Sequence, residues 1–208
     1  MFKKIKENVL ALKESLNKDV VIVCASKYYT VEVMRYLYSL GITHFGESRT
    51  NELLEKKEFL KDLNITWHFI GTLQSNKVKE IINEIDYLHS LERISLAKEI
   101  NKHRKEPLNC FIQLNLSNEE TKSGLNEETL APFLINIKKY DKIKPIGLMQ
   151  MGVYGNLEAS SLTYEKVSDL NKKHNLNEIS MGMSDDYIVA VNNGATFIRI
   201  GSLFTKWG

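Results

Sequence analysis

The sequence predicts one α/β domain over residues 1–208, a closed (β/α)8 barrel of the TIM type with an extra helix at its amino terminus. Three observations carry this. Helical and strand-like hydrophobic periods alternate from end to end, the strand-length apolar runs number about eight, and polar residues collect where those runs end.

Residues 2–16 place Phe2, Ile5, Val9, Leu12 and Leu16 at spacings of three and four, the pattern of an amphipathic helix. Residues 20–27, VVIVCASK, form a β-branched run too short for a helix and read as a buried parallel strand. Thr30 caps a helix that runs to Leu40 and stops at Gly41, a residue suited to a left-handed turn. The cycle then repeats. Strands are expected at 42–45, 66–70, 87–89, 109–116, 143–149, 178–181 and 196–200. Helices are expected at 50–60, 75–85, 92–103, 127–138, 157–174 and 184–193. An open doubly wound sheet has the same order of elements, and strand counting alone does not separate the two. No Pro- or Gly-rich linker divides the chain.

Composition narrows the function classes. With 28 basic and 26 acidic residues the charges nearly cancel, which argues against a dedicated nucleic-acid binder. Lys56-Lys57 and Lys172-Lys173 lie among acids at helical spacing and read as solvated faces. Cys24 and Cys110 sit in separate apolar strands, as core thiols of a reducing compartment do, with no spacing that suits a disulfide or a metal. The amino-terminal segment mixes charges with apolar residues, unlike a signal peptide, and no run approaches membrane-spanning length. The expectation is a cytoplasmic protein that acts on neither nucleic acid nor membrane.

Function is sought at the carboxyl ends of the strands, the active face of parallel barrels. Those ends present Lys27, Gly46-Glu47, Gly71, Ser90, Asn115 and Met149, then SMGMSDD at 180–186 and RIGS at 199–202. Alternation puts Val21, Val23, Ala25 and Lys27 on one face of their strand, and Phe197 and Arg199 on one face of theirs. If both faces look inward, two cations meet in the barrel mouth. That is costly unless an anion lies between them or the lysine gives up its proton. A phosphorylated aldehyde satisfies both needs, since a neutral lysine amine forms imines. The loops after strands seven and eight form the usual phosphate cradle; Ser184 reads as a helix N-cap there, Gly182 and Gly201 allow close backbone approach, and Ser202 adds a hydroxyl.

These residues carry a resemblance. CASK at 24–27, HFGE at 44–47, WHFIGTLQSNK at 67–77, TKSG at 121–124, GLM at 147–149, SMGMSDD and RIGS follow one another along nearly the whole chain. The chain resembles the pyridoxal phosphate homeostasis proteins, single-domain relatives of the alanine racemase barrel. The resemblance implies pyridoxal 5′-phosphate (PLP) held as an imine on Lys27, with Ser184, Gly201 and Ser202 at the phosphate and Arg199 facing the pyridine nitrogen. An arginine there can only donate, which leaves the pyridine unprotonated and a poor electron sink. Met149 and Asn115 complete the expected cofactor set, Met149 through the Met149-Gln150-Met151 run that can pack on the ring.

Two features depart from the family. Ser48 and Arg49 follow HFGE where relatives continue with Asn-Tyr, and the ending LFTKWG lacks the usual Phe-Gly-basic pattern. Lys77 and Lys122 are candidates for a secondary cofactor or transfer site, against the plainer reading of surface lysines. His68, between Trp67 and Phe69, reads as a hydrogen-bonded structural histidine. The reading is a carrier without turnover of its own, a monomer that passes PLP to apo-enzymes. The alternative is a PLP-dependent enzyme of the racemase kind. A two-base racemase needs a tyrosine from an added domain, and the βα units already account for the chain. A barrel enzyme acting on a phosphorylated sugar shares the lysine and the cradle but not the motifs.

Overall fold

The computed structural model describes residues 1–116 and 123–206. Parallel strands β1 (Val21–Ala25), β2 (His44–Glu47), β3 (Thr66–Phe69), β4 (Tyr87–Leu91), β5 (Leu108–Gln113), β6 (Ile143–Met149), β7 (Glu178–Ser180) and β8 (Phe197–Ile200) close into a barrel in chain order. α1 (Phe2–Ser15) precedes β1, and between the strands run α2 (Val31–Ser39), α3 (Thr50–Phe59), α4 (Val78–Ile81), α5 (Ile94–His103), α6 (Glu127–Ile137), α7 (Leu157–Lys173) and α8 (Tyr187–Asn192). The closed order excludes the open sheet. No described helix is long and apolar enough to cross a membrane.

Local chemistry sets the helix starts. Thr30, Asn126 and Asn156 each accept a bond from the amide three residues on, the N-cap geometry. After β8 the described residues make the short 3₁₀ turn Ser202–Thr205, and α1 packs against it. Asn8 of α1 donates to the carbonyls of Phe204 and Lys206, Lys13 donates to Leu40 O, and Ser15 meets the Tyr187 hydroxyl of α8.

The two faces of each strand differ in kind. The outward face, under the helices, is mostly apolar: Cys24, Phe45, Trp67, Phe69, Leu88, Cys110, Ile112, Leu148, Ile198 and Ile200 are buried there. The inward face holds a small apolar cluster of Val23, Phe111, Met149 and Phe197, beside His68, His89 and Arg199.

Some boundaries fall short of the periodicity. β1 ends at Ala25, because the Tyr29 amide bonds back to Ser26 O and turns the chain over residues 26–29. β5 ends at Gln113, where Leu125 crosses and its carbonyl accepts from the Asn115 amide. The helix expected at 75–85 is a 3₁₀ turn, Ser75–Lys77, followed by the single-turn α4.

Candidate functional site

The turn after β1 and the turn after β8 share one corner of the carboxyl rim. β1 pairs with β8 through Cys24↔Ile200. The Tyr29 hydroxyl donates to Gly201 O, and burial pushes that phenol up to about 12. A Cβ at Gly201 would come within 3.4 Å of Ala25 O. Lys27 therefore sits in an exposed turn held beside Gly201 and Ser202, not on a strand as the sequence run implied. Its Nζ lies 4.5 Å over the Tyr28 ring.

Behind that turn is a buried ion pair. Ser26 Oγ donates to Glu47 Oε1 at 2.7 Å, and Lys56 Nζ of α3 donates to both Glu47 Oε1 and Ser26 O. The sequence reading put Glu47 on the rim. Alternation instead turns Gly46 inward and Glu47 outward against α3, where it fixes the backbone just before Lys27.

The loops after β7 and β8 meet through Ser184. Its Oγ accepts from the amides of Gly201 and Leu203, both at 3.3 Å. Ser184 is thus not the cap of α8, which starts three residues later at Tyr187 with Asp186 before it. Asp186 orders this loop: Oδ1 accepts from the Met183 amide at 2.6 Å and Oδ2 from the Tyr164 hydroxyl at 2.6 Å. Burial, then the bonded Asp186, raise the Tyr164 phenol far above its usual range. Gly182 has φ +91°, and a Cβ there would lie 2.6 Å from the Ala190 Cβ, so the tight turn admits only glycine without strain. Ser202 is exposed at the start of the last turn.

Arg199 lies under the rim, 6% exposed. Nη1 donates to Ser180 Oγ at 2.6 Å and Nη2 to Gln150 O at 3.3 Å. Burial works against its charge, partly offset by Tyr164 and Asp186. No described carboxylate forms an ion pair with it, so a fixed cation rests on neutral acceptors. Met149, at the end of β6, packs inward with Val23, Phe111 and Phe197. Asn115 is half-buried just past β5.

Gln150 and Ser180 escaped the sequence reading as site residues. Gln150 is 1% exposed, and its Oε1 accepts from the Leu116 amide. The period of two from Arg199 and its strand partners places Ser180 inward, and that was the available signal. Of the remaining candidates, Lys77 pairs with Glu80 at 3.1 Å and Arg49 with Glu52 at 2.7 Å, as surface residues do. Lys122 lies outside the described residues.

The family profile described as "Alanine racemase, N-terminal domain" matches residues 2–206. A protein of Aquifex aeolicus named "Pyridoxal phosphate homeostasis protein" is 40% identical over 189 residues, covering 86% of this chain and 83% of that protein. PipY of Synechococcus elongatus, solved with PLP bound, superposes with a TM-score of 0.88 at 28% identity, covering 97% of this chain and 100% of that one. Alanine racemase of Clostridium difficile shares the fold at 16% identity and a TM-score of 0.80; 99% of this chain spans 57% of that enzyme.

Proposed function

From the premise that this chain belongs to the pyridoxal phosphate homeostasis protein family, we propose that it binds PLP at the carboxyl rim and acts as a cofactor carrier, not a catalyst. One observation carries the reading: a turn bearing an exposed lysine is bonded to the glycine turn that follows the buried cation Arg199.

The residues present fit the group. Lys27 supplies an accessible amine for the aldehyde carbon, and the anchored residues 26–29 keep it beside Gly201. Ser184, Gly201 and Ser202 would hold the phosphate, in a turn where Gly182 lets the backbone close tightly. Arg199, lacking a carboxylate partner among the described residues, would face the ring nitrogen as a donor, while Met149 and Asn115 would line the approach. PLP supplies an electron sink whose strength depends on protonation of its ring nitrogen. Arg199 can give that nitrogen a hydrogen bond but not a proton. The chain's own residues therefore retain the group and damp its reactivity, as suits storage and delivery.

In this reading residues 1–208 are one PLP-binding domain, a cytoplasmic monomer whose recipients are apo-enzymes that use PLP. The test is borohydride reduction of the yellow purified protein followed by peptide mapping. The expected label is on Lys27 alone; a label on another lysine overturns the site. Exchange of amino-acid α-protons in deuterated water at a catalytic rate overturns the carrier role in favour of a racemase-like enzyme.

A further inference from the structure

A line of hydrogen bonds runs down the inside of the barrel from Arg199 to the opposite mouth. Arg199 Nη1 donates to Ser180 Oγ at 2.6 Å. Ser180 Oγ lies 2.8 Å from His89 Nδ1, His89 Nε2 lies 2.9 Å from His68 Nδ1, and His68 Nε2 lies 2.9 Å from His44 Nδ1. His44 is the first residue of β2 and lines a cleft at the amino-terminal mouth with Lys13, Lys18 and Asp19.

The direction of this line follows from its first member. A guanidinium only donates, so Ser180 Oγ accepts from Arg199; among the described residues its one other partner is His89 Nδ1, the acceptor to which the buried hydroxyl directs its own proton. A neutral imidazole has one donor and one acceptor nitrogen. His89 therefore carries its proton on Nε2 and gives it to His68 Nδ1, and His68 does the same toward His44. His68 and His89 are buried and Phe111 and Phe197 close over them, which keeps water from offering other partners.

We infer that Arg199, Ser180, His89, His68 and His44 form a one-way hydrogen-bond chain, in which Ser180 and the histidines are positioning residues for the guanidinium, and through which protonation of His44 at one mouth is felt at Arg199 near the other. The single nitrogen of His44 free to take a proton is Nδ1, which already accepts from His68. A proton there sets two N–H groups against each other. The conflict is relieved when His68 and His89 move their protons to Nδ1, so that His89 donates to Ser180 Oγ and the serine hydroxyl must turn away.

The surroundings oppose that event without forbidding it. Burial lowers the affinity of His44 for a proton, and Asp86 raises it. Lys13, Lys18 and Asp19 share its cleft. Tyr87, itself near Asp86 and Glu178, stacks on His68 at 4.6 Å. His68 and His89 are held well below the usual histidine range, first by burial and then by each other's neighbours in the line, His44 for the one and His68 with Arg199 for the other.

The last link, from Arg199 to the cofactor, rests on the proposed PLP site; the chain itself does not. The experiment is long-range 1H–15N correlation on the full-length protein labelled in histidine and arginine, with and without bound PLP. At neutral pH all three imidazoles are expected as Nε2–H tautomers. In Arg199→Glu the head of the line accepts instead of donating, and His89, His68 and His44 are expected to exchange to Nδ1–H together. A purely structural role for these residues leaves the His44 tautomer unchanged, and that result overturns the inference. Ser180→Ala serves if the first variant does not fold. In the parent the Arg199 side-chain signal is expected to move with the midpoint of His44, and in Ser180→Ala that response is expected to vanish. An Arg199 signal indifferent to His44 titration in the parent also overturns it. Because the apo protein suffices, failure here leaves the Lys27 label map untouched, and the converse holds.

Discussion

Replacing Lys27 by alanine separates cofactor binding from stability, and the structure sets the size of both effects. The side chain is exposed, and its described partner is the Tyr28 ring, 4.5 Å from Nζ and itself 84% exposed. A cation–π contact at such a site is worth about 0.5–1 kcal/mol. For a chain of this length about 1 kcal/mol moves Tm by about 2–4 °C, so the variant is expected to melt about 1–4 °C below the parent. Its capacity to be labelled by borohydride in the presence of PLP is expected to disappear entirely. The assay pairs a thermal melt followed by circular dichroism with absorbance of the PLP-treated protein before and after reduction. A fall in Tm of more than about 10 °C, far beyond any exposed contact, shows that Lys27 braces the fold. Undiminished labelling in the variant shows that another amine is the attachment point. Either result breaks the argument from the shared corner of β1 and β8.

Gly182→Ala forces an alanine into φ +91° with its Cβ 2.6 Å from that of Ala190. Left-handed strain of about 1–2 kcal/mol and overpacking of about 1–3 kcal/mol predict a Tm lower by about 4–20 °C; an unchanged melt contradicts the tight-turn assignment. Ser184→Ala removes the acceptor for the Gly201 and Leu203 amides, a loss of about 1–3 kcal/mol if they stay unpaired. It is expected to shed PLP on gel filtration where the parent retains it. Acid should also weaken the fold. His44, His68 and His89 have folded-state values below the ordinary 6.5. The unfolded chain therefore takes up protons first as pH falls, so stability is full above about 6.5 and declines below it, by at most about 1.4 kcal/mol per pH unit for each histidine. Denaturant melts at pH 7.5 and 5.5 measure this, and equal stabilities refute the neutral histidine line.

The barrel was legible because alternation of two hydrophobic periods is a property of the chain itself. The inward direction of Arg199 and Val23 followed from the period of two, and the neighbouring corners of β1 and β8 followed from barrel closure. What escaped needed lengths and neighbours. Ser-Asp-Asp at 184–186 offers several acceptable helix caps, yet α8 starts after Asp186 with no side-chain cap, because the Ser184 oxygen was drawn to amides seventeen and nineteen residues away and the Asp186 carboxylate to Met183 N and the Tyr164 hydroxyl. Lys27 was read as the end of a strand because CASK continues an apolar run, whereas a backbone turn to Ser26 O stops the strand early. His68 was recognised as a bonded structural residue, but its partners were not. Alternation places residues 44, 68 and 89 inward, yet only the stagger between tilted strands brings their ring nitrogens within 2.9 Å of one another.

The division between the two faces of the sheet bears on what the barrel is for. A barrel that needed only to stand would fill its interior with branched aliphatic side chains in layers. Here most of the aliphatic packing lies outside, between strands and helices, and the interior shares a small cluster of Val23, Phe111, Met149 and Phe197 with histidines, a serine and an arginine. Buried polar groups of this kind add little or nothing to stability over apolar replacements of the same shape, so stability does not explain them. The imidazoles are tolerable because each is neutral and paired. Arg199 is different: it keeps a permanent charge near the rim, against neutral acceptors, at the end of a supporting line that reaches across the barrel. A charge so placed is rational if a ligand's acceptor completes its surroundings. The corner that holds an accessible lysine beside tight glycine turns is where such a ligand would be gripped.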